Sequence, residues 1–391
     1  MAGQEAEIGA LGVIILAGVV GRLFLRKTGV SDVLILLLFG ALAGALLPAD
    51  MVSGMGPLML PLGAIALLMI ILDEGLHLPL SELAKQAHKA VLFSILSFAL
   101  SFAAAFALSF AMLGQDTILS LAIAAIFASV APETVSGFLS AREAHESARG
   151  LSELESTLSD ALSVIATLLI VAASSAAHGA LGSGLGSLPL DLLFTIMLSA
   201  ALGGVFAALW KGLIARLDEE NEHIMAIGIA ALLYALSGLL GGNGVIAVFA
   251  FGFFLGNSSH KSVEELRRFH SEITFFLRTF FFVYLGILLF HSDKPFEMGL
   301  FALALSLLLA VARMLASRAI SYLEPTVRKG RLLESISSRG LTSAVLSVIA
   351  YNELSLSGAK PAVDLPLLAL FVIFFTNAIS AFLVLRNRRK E

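Results

Sequence analysis

The sequence predicts an all-α protein that lies in a lipid bilayer, and three observations support this fold class. Hydrophobic residues make up 58% of the 391 residues, and charged residues make up only 14%. A soluble domain keeps about a quarter of its residues charged, so this chain cannot cover a water-facing surface of its size. The third observation is the recurrence of apolar stretches close to the roughly 20 residues that a helix needs to cross hydrocarbon.

These stretches predict about thirteen transmembrane helices in one membrane domain that spans residues 1–391. They are too long and too evenly apolar for the alternating strands of a membrane barrel. The predicted spans are 8–25, 31–47, 57–76, 89–113, 117–140, 152–175, 189–215, 223–240, 242–256, 269–290, 296–320, 335–352 and 364–386.

The placement of the 25 Lys and Arg residues predicts the orientation. Cytoplasmic loops carry an excess of these residues, and the basic C-terminal segment 386–390 is therefore placed in the cytoplasm. Thirteen spans then put the N-terminus outside, and only Lys294 and Lys360 fall in outside loops. The expected location is the plasma (inner) membrane, with several passes.

Two of the predicted spans are interrupted. Span five carries Pro132 near its middle, and span twelve carries the polar run 337–340, Ser-Ser-Arg-Gly. Paired broken helices in two halves of a chain are typical of inverted-repeat transporters, whose substrate site lies where the two breaks cross. The sequence therefore predicts inverted repeats with two crossing broken helices.

Asp160 lies in span six and is followed by a long apolar run. A carboxylate at membrane depth costs about 2.5–3.5 kcal/mol on insertion scales, so it must face protein or water. Polar residues at three- and four-residue steps form one stripe on this helix. The stripe comprises Ser152, Ser156, Ser159, Asp160, Ser163 and Thr167, with Glu155 beside Ser159. Such oxygens suit a hard monovalent cation, and the predicted ligands are Asp160, Glu155 and Ser156, with Ser159 in the same site.

The same carboxylate also binds protons, and burial makes it hold a proton more tightly. If only the loaded site can move between the two membrane faces, competition between cation and proton yields exchange. The alternative is that these oxygens only join helices by hydrogen bonds.

Three arginines fall inside predicted spans. Arg339 needs a partner, and Glu155 is the expected one, which leaves Asp160 freer for the transported ion. Arg278 either pairs with a carboxylate in the core or extends to the membrane surface. Arg313 is expected to extend to the surface or to face lipid at an edge.

Two further acidic positions stand at span ends or breaks. Glu133 follows Pro132 and either lines the crossing or lies near the cytoplasmic vestibule. The adjacent Asp73 and Glu74 end span three, and we interpret them as an ordinary interface pair.

Several classes of protein are disfavoured by the sequence. Without cysteine there are no disulfides, iron–sulfur clusters or thiolate zinc sites. The Gly-rich segments lack a Walker or Rossmann context, and no dense basic patch suggests nucleic acid. No paired aspartates or Ser–His constellation stands at membrane depth, so we expect neither an enzyme nor a bound cofactor. An organic-anion carrier would need more cations lining the crossing than Arg278 and Arg339.

Several segments, in order along the chain, resemble the NhaP-type sodium/proton exchangers of the cation/proton antiporter superfamily. Residues 155–160, Glu-Ser-Thr-Leu-Ser-Asp, are similar to that family's Glu-Ser-x-x-Asn-Asp motif, and 338–341, Ser-Arg-Gly-Leu, resemble its Arg-Gly motif. The other similar segments are 74–76, Glu-Gly-Leu, the Gly-rich stretch 244–257, and 278–286, which begins with Arg278.

The resemblance implies a homodimer in which a core domain moves like an elevator against a dimerisation domain. The six-helix core would comprise spans within 57–175 and 269–386, and the dimerisation domain spans within 8–47 and 189–256. Asp160 would bind the cation and the proton, Glu155 and Ser156 would belong to the same site, and Glu155 would pair with Arg339. A role in pH homeostasis is implied as well.

Two departures from the family pattern bear on function. The family's Thr-Asp-Pro reads Val130-Ala131-Pro132 here, and either Glu133 or Ser129 is left to replace the missing oxygens. The Asn before the aspartate is Ser159, which cannot hold a second charge, so we expect electroneutral exchange, with sodium as the favoured cation. The alternatives are a potassium/proton antiporter and a transporter-like membrane sensor that moves no ions.

Overall fold

The structure is a computed structural model, and its helices lie close to the predicted spans. It describes residues 12–13, 15–16, 18–21, 23, 31–46, 49–78, 80–114, 116–132, 134–135, 146–178, 188–214, 222–258, 263–289, 295–323, 332–356 and 361–388. The helices with defined bounds are α1 (Asp32–Leu46), α2 (Ala49–His77), α3 (Leu80–Met112), α4 (Thr117–Ala128), α5 (Glu146–His178), α6 (Leu188–Ile214), α7 (Glu222–Leu239), α8 (Gly244–Gly256), α9 (Val263–Leu288), α10 (Pro295–Leu323), α11 (Leu332–Ser335), α12 (Leu341–Leu356) and α13 (Leu365–Arg388).

The all-helical prediction is confirmed for the described residues. Every helix except the one-turn α11 corresponds to one predicted span from the second onward, while the first span, 8–25, is described only in part. Six helices, α3, α5, α6, α7, α10 and α13, are long and apolar enough to cross a membrane by themselves. The count of thirteen membrane crossings therefore stays a prediction.

The two predicted helix breaks are present, and they cross. Helix α4 ends at Ala128, and helical backbone resumes only at Pro132, which has no N–H to continue the hydrogen-bond ladder. The second break runs from Ile336 to Gly340, between α11 and α12. The backbone N–H of Ala131 donates to the carbonyl of Ser338 at 3.0 Å, so the two breaks contact each other directly.

A broken helix leaves carbonyls that hydrocarbon cannot satisfy, and side chains from other helices satisfy them here. Three donors reach the last turn of α4: Ser163 Oγ to Ala125 O (2.6 Å), Ser343 Oγ to Ile126 O (2.9 Å) and Arg339 Nε to Phe127 O (2.8 Å). The break is therefore fixed by α5, α12 and the second break together, and this brings α5 to the crossing.

Helix α2 reaches the same region through a close contact with α8. A Cβ on Gly75 would lie 2.6 Å from the carbonyl oxygen of Phe249, and one on Gly252 would lie 2.7 Å from that of Leu72. Only glycine allows this approach of the two backbones. The contact fixes the position of the last turns of α2, next to the crossing.

Candidate ion site at the helix crossing

Asp160 lies at the crossing, and its side chain faces protein. The residue is 2% exposed, which confirms that it is held inside the molecule. Ser129, in the first break, donates its hydroxyl to Asp160 Oδ1 at 2.7 Å, and Thr342, in the first turn of α12, donates to Oδ2 at 2.5 Å. Each carboxylate oxygen therefore has a hydroxyl partner from a different broken helix. The N-terminal end of α12 adds a favourable partial positive charge.

A second carboxyl group approaches Asp160 from α2. The side chain of Glu74 interacts with the Asp160 carboxyl, and Glu74 is itself buried at 9% exposure. The interpretation of Glu74 as part of an ordinary interface pair was wrong, because this side chain belongs to the buried site.

Ser156 and Ser159, the two predicted hydroxyls of the ion site, are buried, but both donate to backbone carbonyls. Ser159 Oγ donates to Ser156 O at 3.0 Å and accepts from the N–H of Val130 at 3.4 Å, so Val130 joins the site through its backbone. Ser156 Oγ donates to Glu153 O at 3.0 Å. Ser159 and Val130 thus lie at the crossing, while roles for Ser159, Val130 and Ser156 in binding an ion stay predictions.

Glu155 does not take the partner that the sequence predicted. Its carboxylate forms an ion pair of 2.6 Å with Arg313 Nη1 on α10, and both side chains are fully buried. Arg313 also donates to Ser97 Oγ at 2.9 Å, and its guanidinium lies over the ring of Phe93 at 4.7 Å. The assignment of Arg313 to the membrane surface or a lipid-facing edge was therefore wrong, because its guanidinium is buried against Glu155, while a role for Glu155 in binding an ion stays a prediction.

Arg339 has a different role from the predicted one. Besides Phe127 O, it donates to the carbonyl of Ser337, so its guanidinium joins the end of α4 to the second break. Its positive charge lies at the C-terminal end of α4, where the helix dipole favours a cation. It is fully buried and interacts electrostatically with Glu155 and Asp160. Arg339 therefore supports the crossing, although its hydrogen bonds go to backbone carbonyls and the ion pair of Glu155 is with Arg313.

Of the two other predicted supporting residues, Arg278 lies apart from this arrangement. Arg278 on α9 forms a 2.9 Å ion pair with Asp32, at the start of α1, and both are buried. This confirms the alternative in which Arg278 pairs with a carboxylate. Glu133 lies outside the described residues, so of the two proposed replacements for the missing family oxygens the structure places Ser129 against Asp160.

Four positions that the structure places in buried contacts have only a weak signal in the sequence. Glu74 and Asp32 stand at span ends, where acidic residues are ordinarily solvated. Thr342 lies two residues after Gly340, and only the crossing of the breaks shows that this position reaches Asp160. Arg313 is surrounded by apolar residues, and nothing in its neighbourhood indicates that a glutamate on another helix is its partner.

This arrangement defines a class of protein: a helical membrane carrier with crossed broken helices around a buried carboxylate. Comparison with known families agrees with it. The family described as "Sodium/hydrogen exchanger, transmembrane" matches residues 12–385, and the chain belongs to that family.

Relatives in the family carry two kinds of name. A protein of Shewanella sp. (strain MR-4) named K(+)/H(+) antiporter NhaP2 is 24% identical over 268 residues, 68% of this chain and 46% of its own length. One of Alkalimonas amylolytica named K(+)/H(+) antiporter NhaP is 25% identical over 78% of this chain and 53% of its own. Probable Na(+)/H(+) antiporter 2 of Methanocaldococcus jannaschii is 24% identical over 89% of this chain and 85% of its own. The chain thus spans about half the length of the first two relatives.

The fold has a counterpart among solved structures. The sodium proton antiporter MjNhaP1 from Methanocaldococcus jannaschii, solved at pH 8, superposes with a TM-score of 0.80. The match covers 97% of this chain and 99% of that one at 20% identity, so it shows a common fold.

Proposed function

We propose that this protein exchanges a monovalent cation for a proton across the membrane, with both competing for Asp160. The observation that carries the proposal is the buried Asp160 carboxyl, which has hydroxyl partners from both broken helices and the Glu74 side chain as a further neighbour. Oxygen atoms are the ligands that hard cations take, and a buried ionisable residue at membrane depth marks an ion or proton pathway. The names of the relatives support the same chemistry.

The charges of the site favour electroneutral, one-for-one exchange. In the proposed proton-loaded state the Glu74 and Asp160 carboxyls hold one proton in total, so the pair carries one negative charge, and Arg339 carries one positive charge. When a monovalent cation replaces that proton, the total charge does not change. The Glu155–Arg313 pair neutralises itself in both states. Moving the loaded site therefore transfers the same charge whether it holds a cation or a proton.

Sodium is the proposed cation, and potassium is the second candidate. The potassium alternative is favoured by the names of the Shewanella and Alkalimonas relatives, while the Methanocaldococcus relative is named as a sodium antiporter.

We further propose that the site moves by an elevator motion in a plasma-membrane homodimer, with the N-terminus outside and the C-terminus in the cytoplasm. The moving core comprises spans within 57–175 and 269–386, and the static part comprises spans within 8–47 and 189–256. Because the chain contains no cysteine, single-cysteine variants can be labelled with membrane-impermeant reagents. The elevator predicts that a cation gradient changes the labelling of α5, and leaves that of α6 unchanged.

The test of the proposal is ion-driven proton flux in proteoliposomes, with sodium, potassium or lithium added in turn and the membrane potential clamped. We expect flux with wild type and none with Asp160→Asn. Asp116→Asn is the matched control, because Asp116 caps α4 by accepting from the Leu119 N–H and Asn caps a helix equally well. Wild-type protein that moves protons with none of the cations would contradict the proposal and favour the transport-inactive sensor.

A further inference from the structure

His77 and Asp73 form a pair at the C-terminal end of α2, one helical turn beyond Glu74. His77 Nδ1 lies 2.9 Å from the Asp73 carbonyl oxygen and 3.3 Å from Asp73 Oδ1. Both oxygens are acceptors, so Nδ1 carries the proton and Nε2 is the nitrogen available for exchange. The His77 side chain is 45% exposed and that of Asp73 is 19% exposed, whereas Asp160 is 2% exposed.

The position of His77 on the helix brings it close to the buried site. It follows Glu74 by three residues, and side chains at this spacing are neighbours on one helix face, with Cβ atoms about 5–6 Å apart. The more exposed His77 is therefore a helical neighbour of the buried Glu74.

The groups around His77 favour a proton-exchanging imidazole. Partial burial lowers the pKa of His77, but the hydrogen bond and the negative charge of Asp73 outweigh it, and the pKa lies above its ordinary value. The charge of Arg267 on α9 opposes this rise. An unperturbed histidine titrates close to neutral pH, so this side chain changes its charge in the range in which cells work.

Neighbouring helices hold the pair in place and add further titratable groups. Ser271 on α9 donates to Asp73 Oδ1 at 3.1 Å, and Arg267 donates to the Leu76 carbonyl at 2.8 Å. His270 on α9 is fully buried and interacts electrostatically with His77, Asp73 and His223. His223, on α7, stacks on Phe269 at 5.0 Å.

We propose that His77, held by Asp73, collects protons from the adjoining aqueous phase and passes them to the Glu74–Asp160 pair. In the step, the imidazolium gives its Nε2 proton to the Glu74 carboxylate, directly or through one water. The neutral imidazole then takes a proton from solvent, and the step runs in reverse when the pair releases its proton. The proposal rests on the proposed cation/proton exchange.

A purely structural role for His77 would also suit its position, because a cation at a helix C-terminus is stabilising. The two roles predict different effects on proton supply and on cation binding when His77 is replaced. A relay residue limits the supply of protons and leaves cation binding alone. A structural residue changes both, since it acts through the fold of the site.

The experiment compares wild-type and His77→Gln proteoliposomes in weak buffer. Gln keeps a donor for Asp73 and cannot carry a proton. We expect cation-driven proton flux to fall roughly tenfold or more, since positioned acid–base groups commonly contribute 10²–10⁴-fold. Added imidazole should restore the flux by replacing the lost group. Exchange of radiolabelled cation for unlabelled cation needs no proton and should stay at the wild-type rate, which also shows that the variant is folded.

Two further variants serve as a control and as a test of the Asp73 charge. His223→Gln, at the same end of the molecule, should behave as wild type. Asp73→Asn keeps the imidazole and removes the charge that raises its pKa, so the pH at which flux becomes buffer-dependent should move downward. Normal His77→Gln flux in weak buffer, no rescue by imidazole, or a parallel fall in cation self-exchange overturns the relay. If wild type shows neither proton flux nor self-exchange, the proposed exchange itself fails.

Discussion

Glu155 of α5 and Arg313 of α10 form an ion pair 2.6 Å long in which both side chains are fully buried. Glu155 lies five residues before Asp160 on the same helix. Arg313 Nε also donates to the carbonyl of Leu333 at 3.3 Å, just before the second break. One guanidinium therefore fixes the helix that carries Asp160 relative to the break that crosses beside it.

Removing one member of this pair should destabilise the protein strongly. Arg313→Gln leaves Glu155 as an uncompensated buried charge, which costs about 3–5 kcal/mol. We expect a clear fall in the Tm of detergent-solubilised protein. The double variant Glu155→Gln with Arg313→Gln should recover much of that loss, because no buried charge remains.

The exposed pair of Arg268 and Glu272 on α9 supplies the control for this experiment. Its two side chains are 85% and 70% exposed, so Arg268→Gln should leave the Tm unchanged. A single Arg313→Gln variant as stable as wild type would contradict the assignment of the pair as a buried anchor.

Thr342 should determine how well the site binds its cation. Thr342→Val keeps the shape and removes the hydroxyl that bonds the Asp160 carboxylate at 2.5 Å. Hydrogen bonds to charged groups contribute about 1.5–3 kcal/mol, so the KM for the cation should rise about tenfold or more. Thr342→Ser, which keeps the hydroxyl, should stay near wild type. Equal KM values for the Val and Ser variants would show that the hydroxyl has no part in binding.

Glu74→Gln tests whether a second carboxyl shares the site. With the cation bound, the variant lacks one negative charge beside Asp160, so the KM for the cation should rise more than tenfold. Exchange should remain insensitive to membrane potential, because proton-loaded and cation-loaded states still carry equal charge. Glu272→Gln, on the exposed face of α9, is the control. An unchanged KM in Glu74→Gln would remove Glu74 from the site.

Arg339→Lys tests the geometry of the crossing separately from its charge. The planar guanidinium reaches the carbonyls of Phe127 and Ser337 at once, and a lysine ammonium lacks this fixed fork. We expect lower thermal stability and slower exchange than in wild type, measured by Tm and by flux. Wild-type behaviour would mean that the positive charge alone suffices.

The sequence predicted the parts of the fold that leave a local signature. The lengths of the apolar stretches predicted the helices. Pro132 and the polar run before Leu341 predicted the two breaks, and the cost of burying a carboxylate predicted that Asp160 faces protein or water. A contact between side chains on two different helices leaves no such local pattern in the sequence. Glu155 was expected to pair with Arg339 because a buried cation needs a partner and the family resemblance implied this pair, whereas its ion pair is with Arg313, more than 150 residues away along the chain.

Glu74 is a second residue whose contact with another helix could not be predicted from the local sequence. An acidic residue at the end of an apolar helix is ordinarily solvated, and this one is buried because α2 packs closely on α8 through Gly75 and Gly252. Ser129 could be named as a candidate because it stands beside the first predicted break, which was expected to lie at the crossing. The sequence alone could not show at which depth in the membrane separate helices meet.

The measurement that tests the central claim most directly is the number of protons released when the purified protein binds its cation. In weakly buffered detergent solution, titration with the transported cation should release one proton per cation from wild type. Asp160→Asn should release none. Cation binding without proton release, or release from Asp160→Asn equal to that from wild type, would contradict competition at this carboxylate.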